Sequence, residues 1–220
     1  MRVLAAGDIH GELSVYEWLL NVTGQIEADV LVFAGDLLSF DSEERQTVQA
    51  AKIVSLIETI SIPVLYIMGN DDLVSLNYET DRIKPLHNRC VPLDKYKFVG
   101  YQYSLPFMGG VFEKPESEIQ SDMQLLEPLL GRDTVFVSHS PIHGFLDTVP
   151  EVVGLSDGHA GSRSMGAMLN RKSVLAHIHG HVHGAFGRQG NHFNVAAAAT
   201  RRAIWLDLPS LAYGVVGTKP

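Results

Sequence analysis

Five short apolar runs in this chain are each followed at once by residues able to hold a metal ion, and that regularity limits what the chain can fold into. Residues 3–6 lead into Gly7-Asp8-Ile9-His10-Gly11, residues 30–34 into Gly35-Asp36, and residues 63–68 into Gly69-Asn70-Asp71-Asp72. Residues 134–138 lead into His139-Ser140, and residues 174–178 into His179-Gly180-His181-Val182-His183. Ligands of open α/β sheets gather outside the carboxyl ends of the strands, so clusters spread over most of the chain are expected to converge on one point. Between the first three runs the periodicity turns helical. Residues 14–22 place Trp18, Leu19 and Val22 on one face, and residues 43–60 turn Val48, Ala51, Ile53, Leu56 and Ile57 inward. Strand, helix, strand, helix, strand implies right-handed crossovers and a parallel sheet.

Beyond residue 96 the pattern loosens. Residues 97–104 alternate like a strand, and residues 105–119 read as a Gly- and Pro-rich loop over one end of the sheet. Residues 147–164 are polar and Gly-rich, with a short helix from Met165, and the tail segments 192–197 and 203–208 read as an antiparallel pair closing the core. There is no internal repeat, linker composition or charge block, so the simplest reading is one domain over residues 1–220, two sheet layers with helices outside. With 45% hydrophobic and 19% charged residues the chain has ample material for a core, which excludes a disordered segment. A formal charge of −8 argues against a nucleic-acid binder, which needs a clustered positive face. One cysteine, Cys90, allows no internal disulfide. No apolar stretch approaches the roughly 18 residues of a membrane span. Residues 1–6 run into Gly7-Asp8 without room for a signal peptide, so the expected compartment is the cytoplasm.

The donor types narrow the chemistry. Asp8, Asp36 and Asn70 offer oxygen, and His10, His139, His181 and His183 offer imidazole, a mixture that suits Mn, Fe, Zn, Ni or Co better than Ca or Mg. Seven donors exceed one tetrahedral ion. Two divalent ions sharing a carboxylate use them all, the arrangement that clamps attacking and leaving oxygens in phosphoryl transfer. Gly7, Gly35, Gly69 and Gly180 sit beside donors, where positive φ is expected to turn the side chains inward.

In order and spacing these blocks resemble the calcineurin-like metallophosphoesterases: Asp8-x-His10, Gly35-Asp36, Gly69-Asn70, an isolated His139, and Gly180-His181-x-His183. The resemblance covers nearly the whole chain. It implies an α/β fold, a four-layer α/β/β/α sandwich of two mixed sheets flanked by helices. It also implies Asp8, His10, Asp36 and His183 on one ion and Asp36, Asn70, His139 and His181 on the other, with Asp36 bridging. The implied activity is hydrolysis of a small phosphate or nucleotide-like ester by a hydroxide bridging the ions, with manganese the first ion to try in vitro. Phosphomonoesterases, protein phosphatases and protein-binding scaffolds share the fold and remain alternatives, and homo-oligomers remain open. All seven donors stand here, whereas a scaffold predicts eroded ones.

One position departs from the family pattern: the histidine that follows Gly-Asn is Asp71. A carboxylate near two cations is expected to stay ionised at pH 7 and to be a poor proton donor, which tilts the reading toward diesters with good leaving groups. His159, on the Gly-rich stretch, is the nearest candidate to contact substrate or lend a proton. His177 and His179 alternate with His181 and His183, so an extended segment places all four on one side. Asp72 reads as a helix cap or a neighbour of the donors, and Arg201-Arg202 as a solvated pair beside a strand.

Overall fold

The computed structural model describes residues 1–107, 109–150 and 158–217. The elements are β1 (Arg2–Ala6), α1 (Leu13–Gln25), β2 (Val30–Ala34), α2 (Glu43–Ile57), β3 (Val64–Ile67), β4 (Ile83–Pro85), β5 (Cys90–Leu93) and β6 (Tyr96–Tyr101). They continue with α3 (Glu116–Leu126), β7 (Thr134–Ser138), α4 (Arg163–Arg171), β8 (Ala176–His179), β9 (Gly187–Gln189), β10 (His192–Asn194), β11 (Arg202–Asp207) and β12 (Ala212–Gly217). Two six-stranded mixed sheets result, ordered β12-β11-β1-β2-β3-β4 and β5-β6-β7-β8-β10-β9. Neighbours among β1 to β4 are parallel, as are β6-β7-β8-β10, while β11, β12, β5 and β9 join antiparallel.

Alternation along the strands divides the core into layers. In β1, Leu4 and Ala6 face α1 and α2, joining Leu31, Phe33, Tyr16, Leu19 and Ile53 in one cluster. Val3 and Ala5 face the other way and meet Val135, Val137, Ile178 and Phe193 of the second sheet. On that sheet's far side Val99, Tyr101 and Phe136 pack on Ile119 and Met123 of α3 and Met165 and Met168 of α4. A period of two along buried strands thus produces the four-layer α/β/β/α sandwich, with apolar residues on both faces of both sheets.

The tail departs from its sequence reading. β10 pairs parallel with β8 in the second sheet, while β11 pairs antiparallel with β1 in the first. The chain changes sheets through the short 3-10 turn Ala198–Thr200, and the second antiparallel partner of β11 is β12. Residues 105–119 are likewise not all loop, because α3 begins at Glu116. In α2 the buried face is Gln46, Ala50, Ile53 and Ile57, whereas Val48 is 55% exposed. The face follows helical spacing from a buried glutamine that an apolar template discards.

Candidate metal centre

The seven candidate donors leave the carboxyl ends of five parallel strands, four from the first sheet and three from the second. Backbone bonds lock the turns together: Asp8 N–H donates to the Gly35 carbonyl at 2.9 Å, His10 N–H to Asp36 at 3.0 Å, and Gly180 N–H to His139 at 3.1 Å. Gly7 N–H reaches the Val195 carbonyl at 3.1 Å, tying β1 to the far sheet. Asp8, His10, Asp36 and His181 themselves hold positive φ, between 49° and 72°. Of the four glycines expected to do so, only Gly35 has positive φ, at 94°. Backbone strain of about 1–3 kcal/mol per residue is therefore carried by the donors. Gly69 and Gly180 serve another purpose: a Cβ there would lie 2.3 Å from Asp36 Oδ1 and 2.5 Å from Asp8 Oδ2 respectively.

Donor atoms bound to one ion at about 2.1 Å stand about 3.0–3.4 Å apart. His183 Nε2 lies 3.1 Å from Asp8 Oδ1 and 3.3 Å from His10 Nε2. His139 Nε2 lies 2.9 Å from Asn70 Oδ1 and 3.5 Å from Asp36 Oδ1. Asp8, His10 and His183 form one compact donor group, and Asp8, Asp36 and His139 another. The His181 ring stands 5.1 Å from that of His139, and the His181 backbone N–H donates to both Asp8 oxygens at 3.1 Å. Both spacing and donor chemistry fit cations. His139 Nδ1 sits 2.9 Å from the Ala34 carbonyl, which fixes the proton there and turns Nε2 toward the cluster.

The local field favours positive charge. Burial opposes ionisation of Asp36, yet the His139 charge and hydrogen bond hold its carboxyl well below the usual range. Burial pulls His139 down, but the charge of Asp36 outweighs it and lifts the imidazole to about 10. His181 is pulled to about 4 by burial, with the His139 charge adding to it, so its ring is neutral at pH 7 and one ring nitrogen carries a free lone pair. The Asp8 hydrogen bond raises His183. With no cation present, Asp71 is raised by burial and by the Asp36 charge.

Asp71 also fixes a neighbour. Its Oδ1 accepts from Asn70 Nδ2 at 2.8 Å, so the asparagine oxygen faces His139, and its Oδ2 lies 3.4 Å from His10 Nδ1. A cavity of about 330 Å³ opens over this group, walled by Leu105, Phe107, Val149, Pro150 and Val182. His159 is held by Asp147, with Nδ1 2.9 Å from Oδ1, and its ring lies 4.5 Å from that of His143. The adjacent Ala160, rather than His159, is among the cavity walls. His177 and His179 are buried in β8, but the strand stops at His179 and positive φ at His181 breaks the expected common side. Asp72 caps no helix. Its carboxylate accepts the Leu37, Leu38 and Gly69 amides at 3.2, 2.7 and 2.8 Å, stapling the turns after β2 and β3 together, and burial raises it to about 8.

Sequence reading missed Gln46. Its Nε2 donates to the Asp71 carbonyl at 2.8 Å, and its Oε1 accepts from Leu73 at 2.6 Å, so α2 anchors the turn that carries Asn70 and Asp71. A polar residue on an otherwise apolar helix stripe was the available signal.

Among solved structures, a Thermus thermophilus protein of 15% identity superposes with a TM-score of 0.73 over 98% of this chain and 97% of its own. A dimetal phosphatase from Danio rerio, 12% identical, does so at 0.60 over 93% and 91%. An archaeal phosphodiesterase, also 12% identical, reaches 0.50 over 98% and 99%. At such identities the likeness is one of fold. No curated protein sequence matches the chain significantly. The calcineurin-like phosphoesterase family pattern matches residues 1–185, and this chain therefore belongs to that family of divalent-metal-dependent hydrolases of phosphoric esters.

Proposed function

We propose that residues 1–220 act as one phosphodiesterase domain using two divalent cations. Asp8, His10, Asp36 and His183 hold one ion, and Asp36, Asn70, His139 and His181 the other, with Asp36 shared. The carrying observation is the pair of donor groups with His139 Nε2 and His183 Nε2 facing oxygen and nitrogen partners at 2.9–3.5 Å. When bound, the ions supply charge to the phosphoryl oxygens and acidify a water for attack.

The residues of the chain do the positioning. Asp36 accepts the Asp71 amide at 2.9 Å, which aims one carboxylate oxygen. Asp71 acts at the site by holding the Asn70 amide and the His10 ring rather than by donating a proton. Departure of the ester group is then unassisted at that position, which favours diesters with acidic leaving groups. The apolar walls at Leu105, Phe107, Val149 and Pro150 suit a planar or apolar ester substituent. His159, steadied by Asp147 and next to the Ala160 wall, stands where a substituent reaching past that wall would meet it. Small phosphate esters are the substrate class, and the lone cysteine agrees with a cytoplasmic setting.

The test is metal content together with hydrolysis of bis(p-nitrophenyl) phosphate and p-nitrophenyl phosphate under added Mn²⁺. Two ions per chain and a faster diester reaction are expected. A protein that takes up no metal, or that cleaves only the monoester, overturns this reading.

A further inference from the structure

We propose that a second cavity, behind His183, is an anion subsite in which Arg202 receives a further phosphoryl group of the substrate. The cavity has a volume of about 300 Å³ and is lined by Asp8, His183, Ala196, Ala199, Thr200 and Arg202. His183 also walls the cavity over the donor cluster, so the two spaces share that side chain. This inference rests on the phosphoesterase reading of the first cavity and adds a substrate feature to it.

The fold delivers Arg202 to this place. β11 runs antiparallel to β1 with Ala5 opposite Ile204, so its first residue lies at the end of β1 that leads into Asp8. The guanidinium carbon stacks 4.2 Å over the Phe186 ring. Its Nε is buried without a hydrogen-bond partner, and Arg202 makes no ion pair among the described residues. A guanidinium carries five N–H donors and a permanent charge, and no acidic side chain among the described residues pairs with that of Arg202. Stacking fixes the plane and leaves its edge for bidentate contact, the geometry that matches phosphate oxygens.

The other polar groups of the lining are Asp8, His183 and Thr200. The alanines are small and uncharged, and the one carboxylate of the lining, Asp8, is engaged once a cation is held. Arg201 differs: it is exposed and bonds Ser14 Oγ at 3.3 Å. The two arginines are thus not the solvated pair that their sequence suggests. A ligand spanning both cavities carries one phosphoryl group at the cations and another beyond His183, as a terminally phosphorylated dinucleotide or a diphosphate does.

The experiment titrates inorganic phosphate and inorganic pyrophosphate into the Mn²⁺-saturated protein by calorimetry, for wild type, Arg202→Met and Arg202→Lys. Wild type is expected to bind pyrophosphate about tenfold more tightly than phosphate, Arg202→Met to lose that ratio, and Arg202→Lys to keep part of it. Methionine retains the stack on Phe186, so equal weakening of both anions marks a structural role and overturns the proposal. An unchanged ratio in Arg202→Met overturns it too. Pyrophosphate preference in a protein that hydrolyses no ester sinks the functional reading alone, and ester hydrolysis with no such preference sinks the subsite alone.

Discussion

Replacing Gly180 by alanine tests whether the glycines beside the donors are there for space. The added Cβ would lie 2.5 Å from Asp8 Oδ2 and 2.9 Å from the Ala34 carbonyl. The carbonyl belongs to β2 and is already bonded to His139, so it cannot retreat. Ordinary contact begins at 3.4 Å, and the Asp8 oxygen must therefore withdraw by about 0.9 Å. Metal–ligand distances tolerate about ±0.2 Å, and a displacement near 1 Å at a reacting centre costs about 10²-fold in rate. Gly180→Ala is expected to bind Mn²⁺ at least about tenfold more weakly in calorimetry and to lose about 10²-fold in diester turnover. It should also lose about 1–3 kcal/mol of stability to overpacking. Gly24 in α1 is the control, since a Cβ there meets nothing within 4 Å. Gly24→Ala is expected to keep full activity and to gain about 0.5–1 kcal/mol. Wild-type Mn²⁺ affinity and turnover in Gly180→Ala would refute the argument from close approach.

Gln46→Leu removes the acceptor for Leu73 and the donor to Asp71, and should lower stability by about 2 kcal/mol in urea titration while reducing turnover through a loosened Asn70 turn. His192 is held by burial at about 4 rather than the usual 6.5. The unfolded chain takes up that proton first, so this contribution, about 3 kcal/mol, is present above pH 6.5 and lost as the pH falls toward 4. Urea midpoints that stay level across that window in wild type, or that fall equally in His192→Phe, argue against it. Chelation should lower the melting temperature, because saturation at a hundred times the dissociation constant contributes about 2.7 kcal/mol. Asp71→His supplies a proton donor and should raise the alkyl-to-aryl ester rate ratio; an unchanged ratio counts against unassisted departure.

The parallel centre of each sheet was legible because β1, β2, β3 and β7 are continuous apolar runs, and the convergence of the candidate donors was legible because each follows the end of a strand. What escaped were β4, β5 and β9, edge strands of three or four residues that do not alternate long enough to announce a face, and β12, a six-residue edge strand that buries no residue. The tail misled because sequence shows two neighbouring strands but not the turn at Ala198–Thr200 that sends them to different sheets. Within the site, residue identity was visible and conformation was not. Nothing in Gly35-Asp36 says which of the two holds the left-handed backbone, and both do. Asp72 and Arg202 owe their roles to amides more than 30 residues away and to a ring on another element, so no local pattern reveals them, while the polar break in the α2 stripe marks Gln46 without naming its distant partners.

The donor set draws Asp8, His10, Asp36 and Asn70 from one half of the sandwich and His139, His181 and His183 from the other. A cation gripped by both halves would be a fastener across the seam between two layers that otherwise adhere through side-chain packing and a few hydrogen bonds such as that of Gly7 N–H to Val195. Any breathing motion that parts the layers must first loosen that grip, so retention of the ion and cohesion of the two halves rise and fall as one quantity.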